Sequence, residues 1–404
     1  MPSDGLSGGG TAGRSLWMGA NYVPSSGWFY SWLDFDPDAA RRDFADLASI
    51  GLDHVRVFPI WPWIQPNRGL IRQRAIDDLL TVIDCAAEFD LRVAVDLLQG
   101  HLSSFDFLPS WVLTWHQASV FTDPTVRAGL ADYTRTVAAA VSTRPNVFAV
   151  TLGNEVNNLW PANPTTLDAT FGFTADLVAG VRAVAPRLTC LTSFYDDIWY
   201  SPTHPFSPAA AVDLGDITTV HSWTFNGVAG IDAPLGPATT THADYLVELA
   251  AAAATTADRR VWLQEVGAAE PDIPAASAAA FAQATVDAVV DNPALCGITW
   301  WCSHDIDPAL LDFPHREYDL GLFTVDHRRK PVADVLASVC AGSANRPTRL
   351  ANAARRGLMC PVDPRDPQTR DQVAPGSTFH QDWVGLRKLG PVAIVPPART
   401  SLTA

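Results

Sequence analysis

The chain predicts an α/β fold, a (β/α)8 TIM barrel followed by a mostly irregular C-terminal tail. Three observations carry this expectation. Eight short apolar, β-branched runs alternate with Ala-rich amphipathic stretches, a rhythm that implies a parallel sheet. Strand starts recur about every 40 residues, close to the unit size of such a barrel. The first strand-to-helix turn, GANYVPSSG (19–27), lacks the GxGxxG of a doubly wound dinucleotide fold, the main competing architecture.

In chain order, residues 1–15 are Gly/Ser-rich and read as a flexible arm. They show no basic segment followed by an apolar one, so no secretory signal is expected and the cytoplasm is the expected location. Residues 16–341 are assigned to the barrel. Its strands are expected at LWMGANY (16–22), DHVRVF (53–58), RVAVDLL (92–98), VFAVTLG (147–153), the region 188–194, DITTVHS (216–222), RVWLQEV (260–266) and CGITWW (296–301). Helical periodicity falls between them, at 37–51, 75–90, 125–144, 169–186, 242–259, 275–293 and 330–340. The first of these ends on Gly51, where a C-terminal cap belongs. Residues 342–404 are rich in Pro and poor in periodicity, and read as an extension with a short helix at 346–356.

Composition narrows the function. Of 404 residues 48% are hydrophobic, enough for a large core, and the net charge of −15 argues against nucleic acid or an anionic membrane as partner. No apolar run reaches the roughly 18–20 residues of a membrane span. The six cysteines (85, 190, 296, 302, 340 and 360) form no CxxC pair and read as buried free thiols. Fourteen tryptophans offer flat faces suited to stacking on sugar rings as well as to core packing. No nucleophile elbow GxSxG is present, and the barrel's one lysine, Lys330, lies past the last strand, which excludes Schiff-base chemistry at a strand end. The segment His304–Asp307 holds one His and two Asp without a metal-binding spacing, so neither metal nor cofactor is expected.

Catalytic groups of such barrels sit at the C-terminal ends of strands. Those ends here carry Asn21 and Tyr22, Arg56, Gln99 and His101, Asn154 and Glu155, His221 and Trp223, Glu265, and Trp300 and Trp301. Most informative are VFAVTLGNEVNNLW (147–160) and DRRVWLQEVGA (258–268), each an apolar run that stops on a glutamate. A buried strand that delivers a carboxylate loses stability unless the carboxylate is paired or used. Two such carboxylates are the equipment of a retaining glycoside hydrolase.

On these residues the chain resembles the clan of (β/α)8 retaining glycosidases over about 17–341, and within it glycoside hydrolase family 5. The Asn154-Glu155 pair, Glu265 and the stretch YDLGLFTVDHRRKP (318–331) carry the resemblance. SSGWFYSWLDFD (25–36) and LQGHLSSFDFLPSW (98–111) are similar to bacterial β-mannosidases of that family. The resemblance implies Glu265 as nucleophile and Glu155 as acid/base. It implies Arg56 as the cation that keeps Glu265 ionised, Asn154 as a partner of the sugar 2-OH, and His221 as the group orienting the carboxylates. Trp300 or Trp301 would floor the −1 subsite, the choice depending on register. Where family members often have His-x-Tyr, this chain has His221-Ser222-Trp223, and the third-strand histidine is displaced to His101. Trp28, Trp32, Trp61, Trp63, Trp111 and Trp115 lie in loops where sugar platforms would stand. The expected activity is exo-β-mannosidase action on a small β-linked oligosaccharide. The alternatives are an endo-β-1,4-mannanase or endoglucanase, which the missing secretion signal disfavours, and a non-catalytic sugar-binding barrel, which the presence of both glutamates disfavours.

Overall fold

A computed structural model describes residues 16–114, 118–343 and 355–397. The eight apolar runs form one parallel sheet: β1 (Trp17–Asn21), β2 (His54–Val57), β3 (Arg92–Asp96), β6 (Val147–Thr151), β7 (Thr189–Leu191), β8 (Thr218–Ser222), β9 (Val261–Val266) and β10 (Leu295–Trp300). A small antiparallel hairpin, β4 (His101–Leu102) with β5 (Phe105–Asp106), projects from the loop after β3. The sheet runs in the order β7-β6-β3-β2-β1-β10-β9-β8, which is the predicted (β/α)8 barrel. Both faces of nearly every strand are buried, which is why the strands read as unbroken apolar runs.

The barrel closes between β7 and β8 without a regular ladder among the described residues. The Asp216 N–H donates to the Cys190 carbonyl at 2.8 Å, and the Cys190 N–H returns a bond to the Asp216 carboxylate at 2.8 Å. Higher up, the Thr219 hydroxyl donates to the Thr192 carbonyl at 2.8 Å.

Among the described residues nine helices wrap this sheet: α1 (Pro37–Ser49), α2 (Trp61–Ile64), α3 (Gln73–Ala87), α4 (Pro124–Val141), α5 (Leu167–Val184), α6 (Pro208–Asp213), α7 (Pro237–Ala253), α8 (Ala278–Val289) and α9 (Pro331–Ser343). Side-chain caps start several of them: Asp36 and Asp123 before a first-turn proline, and Thr166 and Ser207. Helix α7 begins five residues before the predicted 242. Asp232 reaches across to accept the Ala238 and Thr239 N–H groups at 2.7 and 3.3 Å, a cap supplied from outside the local pattern. The β7-to-β8 connection, where no helix was expected, holds only the six residues of α6.

The bottom of the barrel is plugged by aromatic rings around a polar thread. The Trp262 indole N–H donates to the Thr299 hydroxyl at 2.8 Å, and His54 Nε2 lies 2.8 Å from the same oxygen. Thr299 therefore faces the interior. Strand alternation then turns Trp300 outward into the main core and Trp301 inward, toward the cluster above the barrel.

The tail contains elements its composition did not announce. Strands β11 (Arg356–Met359) and β12 (Val392–Val395) pair in parallel, and α10 (Thr378–Arg387) starts from a Ser377 cap. The helix expected at 346–356 lies largely outside the described residues, and its last position, Arg356, opens a strand instead. Tail residues cover α7. Trp383 and His380 pack on Tyr245, whose hydroxyl donates to the Val373 carbonyl at 2.6 Å. Asp244 and Glu248 of α7 are buried. Arg387 meets Asp244 at 2.7 Å, Arg355 pairs with Glu248, and the Ile394 N–H donates to Glu248 at 3.1 Å. Arg370, also buried, donates to the carbonyls of Ile198, His204 and Phe206 at 2.5 to 2.7 Å, tying the tail to the loop after β7. Five of the six cysteines are buried. Among the described residues no helix is long and apolar enough to cross a membrane.

Candidate active site

The strand ends converge on one guanidinium. Arg56, the third residue of β2, is wholly buried and donates to Glu265 Oε1 at 2.7 Å, Asn154 Oδ1 at 2.6 Å, Asn21 Oδ1 at 3.1 Å and Ser193 Oγ at 3.1 Å. It is also ion-paired with Asp96 at the end of β3, and its carbon sits 4.7 Å above the Phe58 ring. A buried cation surrounded by two carboxylates and three neutral acceptors is held in one orientation, because any rotation breaks several charge-assisted bonds.

His221, on β8, bridges the two glutamates. Its Nδ1 lies 2.7 Å from Glu155 Oε1 and 3.2 Å from Glu265 Oε2. Its Nε2 is 3.0 Å from the Ser193 hydroxyl and 3.2 Å from the Gln264 side chain. Ser193 accepts from Arg56, so its own hydrogen is available to Nε2, which leaves the Nδ1–H for the carboxylates. Burial lowers the His221 pKa, which favours that neutral form. Trp223 adds an indole N–H donating to Glu265 Oε2 at 3.3 Å.

Local backbone geometry aims Glu155. The strand β6 ends at Thr151, and the next residues turn sharply. Gly153 adopts φ +141°, and a Cβ there would lie 2.4 Å from Val156 and 2.7 Å from the Leu98 carbonyl. Glu155 itself takes the left-handed region, φ 47° and ψ 38°, uncommon for a residue with a side chain and most often maintained where function requires it. Its second oxygen accepts from the Asn158 amide at 3.2 Å. One coordinating oxygen of each glutamate and the His221 nitrogen all lie within 4.8 Å of one another.

The electrostatics separate the pair. Burial lifts Glu155 to about 7, opposed by His101 and Arg56 and reinforced by Asp196. Burial also raises Glu265, but His221 and the direct bond from Arg56 pull it back toward the ionised form. Asp96 is likewise raised to about 7 by burial, against the pull of Arg56.

The remaining predicted positions divide. Asn154 has its amide spanned between Arg56 and the His101 carbonyl, to which it donates at 2.6 Å, and keeps a second N–H. His101 sits in the β4–β5 hairpin with its ring 2.8 Å from Asp106. It reaches the inner cluster through its backbone carbonyl and through its charge. Tyr22 turns away and donates to Asp43 at 2.9 Å, and Gln99 bonds its own Asp96 carbonyl. Trp301 joins Trp223, Trp28 and Phe58 in an aromatic wall, at ring separations of 6.2, 6.3 and 5.7 Å. Trp300 belongs to the core behind the sheet and offers the site only its carbonyl, which accepts from Asn21. Trp28 and Trp63 lie in or against that wall. Trp61 and Trp111 pack together, with their indole N–H groups bonded to Gln65, and Trp32 stacks on Phe35. Trp115 lies outside the described residues.

Four groups in this site carry no sequence signal of their own. Asp96 and Ser193 are revealed only as contacts of Arg56, and Gln264 as a neighbour of His221. The fourth is Glu317, in a loop after β10. Burial raises its carboxyl to about 7, Ser103 hydrogen-bonds it, and the charges of Glu155 and Glu265 reach it. Its Oε2 is buried and has no hydrogen-bond partner among the described residues.

A closed parallel barrel whose strand ends place two carboxylates around one imidazole, over a buried arginine and under an aromatic wall, has the construction of a (β/α)8 glycoside hydrolase. Comparison with solved structures narrows the class. A GH5_18 enzyme from Streptomyces cattleya, a glutamate-to-alanine variant in complex with Manβ1-4GlcNAc, superposes with a TM-score of 0.91 at 44% identity, over 96% of this chain and 95% of that one. GH5_18 from Bifidobacterium longum subsp. longum matches with a TM-score of 0.89 at 35% identity, over 95% and 92% of the two chains. An exo-β-1,4-mannosidase from Opitutaceae bacterium strain TAV5 shares the fold at 22% identity, with a TM-score of 0.80 over 96% and 72%. No protein-family model and no curated protein sequence matches the chain. The chain belongs to glycoside hydrolase family 5.

Proposed function

We propose that the protein is a retaining exo-β-mannosidase that removes a single β-linked mannose from a short oligosaccharide such as Manβ1-4GlcNAc. The observation that carries the retaining assignment is the spacing of the carboxylates. Their coordinating oxygens lie within 4.8 Å of each other. Retaining enzymes keep the two groups about 5–5.5 Å apart, whereas inverting enzymes need about 6.5–9.5 Å to admit a water molecule between carboxylate and sugar.

In this reading Glu265, bonded by Arg56 and Trp223, attacks the anomeric carbon as a carboxylate. Glu155, whose burial keeps a proton near neutrality, protonates the departing oxygen and then deprotonates the incoming water. His221 holds both carboxylates by one nitrogen and fixes their separation through the two steps. The free N–H of Asn154 is available to the sugar 2-OH. Trp301 and its neighbours supply an apolar face for the ring. Glu317, with an unpartnered buried oxygen and the charges of Glu155 and Glu265 reaching it, is suited to accept from a sugar hydroxyl. The S. cattleya enzyme crystallised with Manβ1-4GlcNAc supports the choice of disaccharide.

The test is hydrolysis of Manβ1-4GlcNAc and of p-nitrophenyl β-mannoside, β-glucoside and β-galactoside, with the first-formed anomer followed by proton NMR. Release of β-mannose first, with the mannosides preferred and Glu265→Ala inactive, is the expected result. Release of α-mannose first would refute the retaining mechanism. Preference for a glucoside, or for internal bonds of mannan, would refute the specificity.

A further inference from the structure

Away from the sugar site, two histidines and two aspartates meet on the outside of the barrel. Asp43 and Asp46 lie one turn apart on α1. His304 follows β10, and His327 sits in the tight turn before α9. His304 Nε2 is 3.3 Å from Asp46 Oδ2 and 3.7 Å from Asp43 Oδ1. His327 Nδ1 is 2.7 Å from Asp46 Oδ2 and 3.9 Å from Asp43 Oδ1. One coordinating atom each from Asp43, His304 and His327 lies within 4.8 Å of the others.

A second observation points to a ligand. Asp43 is completely buried, and its carboxylate is locked by Tyr22 and the Ser25 N–H, which donate to Oδ2 at 2.9 and 3.1 Å. The other oxygen, Oδ1, faces the two histidines and has no hydrogen-bond partner among the described residues. A buried carboxylate oxygen left without a partner is destabilising, and folds normally avoid it. A dication at this point supplies the partner that Oδ1 lacks.

We propose that Asp43, Asp46, His304 and His327 form a divalent-metal site, best suited to Zn2+. Two imidazole nitrogens and two carboxylate oxygens are a donor set that zinc accepts in four-coordinate structural sites. Zinc bonds of about 2.0–2.2 Å place neighbouring ligand atoms about 3.3–3.6 Å apart. The four nitrogen–oxygen separations, 2.7 to 3.9 Å, bracket that spacing, so small side-chain rotations complete the shell. Asp46 and His327, with side chains 23% and 33% exposed, open the pocket to solvent and give the ion a way in. Bound there, the ion fastens α1 to the two loops that follow β10. Asp305 and Asp307, next to His304 in sequence, stay outside: Asp305 pairs with Lys330, and Asp307 accepts the Ala309 N–H.

The full chain, stripped with chelator and dialysed against micromolar Zn2+, would be assayed for bound zinc by elemental analysis. Wild type is compared with His327→Gln and Asp46→Asn, both partly exposed positions, and with Glu265→Ala. The last is included because Glu155, His221 and Glu265 also lie close enough to hold an ion. The expected result is one zinc per chain in wild type and in Glu265→Ala, with affinity weakened more than about 100-fold in the other two, since loss of even an outer partner weakens metal sites 10–100-fold. Co2+ in place of zinc should give the strong visible absorption of four-coordinate cobalt, lost in the same two variants. Melting curves of the metal-free proteins verify that the variants fold. Absence of stoichiometric zinc in wild type overturns the proposal. So does undiminished binding in His327→Gln, or binding lost in Glu265→Ala.

Discussion

Replacing Arg56 by Met should be the most damaging single change in the barrel. The guanidinium is fully buried, contacts Glu265 at 2.7 Å and is ion-paired with Asp96. Met retains the bulk and removes the charge. Both carboxylates would then be buried without their cation, and breaking a buried pair in this way costs about 3–5 kcal/mol. The lower end applies if one carboxyl takes up a proton, and Asp96, which burial already raises to about 7, is the one placed to do so. Activity should fall further than stability. Glu265 loses its charged donor and becomes harder to ionise, and removing one preorganised electrostatic partner typically reduces kcat about 10²–10³-fold. The assay is a thermodynamic cycle: urea unfolding and kcat/KM for Arg56→Met, Asp96→Asn and the double variant. Asp96→Asn alone leaves Arg56 paired with Glu265 and should be mild. In the double variant the stranded Asp96 charge is gone, so it should be at least about 1 kcal/mol more stable than the two single losses predict together. An Arg56→Met protein within 1 kcal/mol of wild type, or strict additivity in the cycle, would refute the reasoning.

Three further outcomes follow from the same geometry. Glu155→Ala should lose about 10²–10⁴-fold in kcat on Manβ1-4GlcNAc and much less on an aryl mannoside whose leaving group needs no proton, a contrast readable from the ratio of the two rates. Because the acid must enter the reaction protonated and Glu155 sits at about 7, kcat/KM should fall as the pH rises through that value. His101 opposes the rise of Glu155, so His101→Asn should carry the alkaline limb to higher pH, and an unmoved limb would separate His101 from Glu155. Glu317→Gln removes a charged acceptor from the pocket and should lower kcat/KM about 10–100-fold, the equivalent of a charge-assisted hydrogen bond of about 1.5–3 kcal/mol, while leaving the unfolding midpoint nearly unchanged.

How much of this was legible in the sequence depends on where each residue's partners lie. The eight strands could be read because parallel strands buried on both faces become apolar runs, and Glu155 and Glu265 because they end two of those runs. Asp96 sits inside RVAVDLL, where the strand pattern simply continues past it, and only the position of Arg56 on the neighbouring strand gives it meaning. Ser193 and Gln264 are ordinary polar residues until His221 and Arg56 are placed between them. The order Trp300-Trp301 could not be resolved from composition. It is settled by Thr299, whose bond with Trp262 sets the inward face. Glu317 and the His304–His327 cluster were hidden because loops carry no periodicity, and the partners of His304 lie on α1, 258 residues away for Asp46. The tail was hard to read because its few buried apolar residues, among them Val373, Phe379, Trp383 and Val392, are spaced without a regular period, and charge pairs and backbone bonds to α7 and to the loop after β7 complete its attachment.

The cover over α7 has a consequence for synthesis. A chain leaving the ribosome presents Asp244 and Glu248 with Asn292 of the barrel as their first partner, while their arginines, Arg355 and Arg387, and the Ile394 N–H follow only 107 to 146 residues later. At about 5–20 residues per second that interval is roughly 5–30 s. Through it the nascent barrel holds two carboxylates whose arginines are not yet translated, and the Tyr245 face that His380 and Trp383 cover stays open. A message cut short after α9 would yield every barrel strand and every residue of the sugar site, yet a barrel whose α7 carboxylates lack their cations.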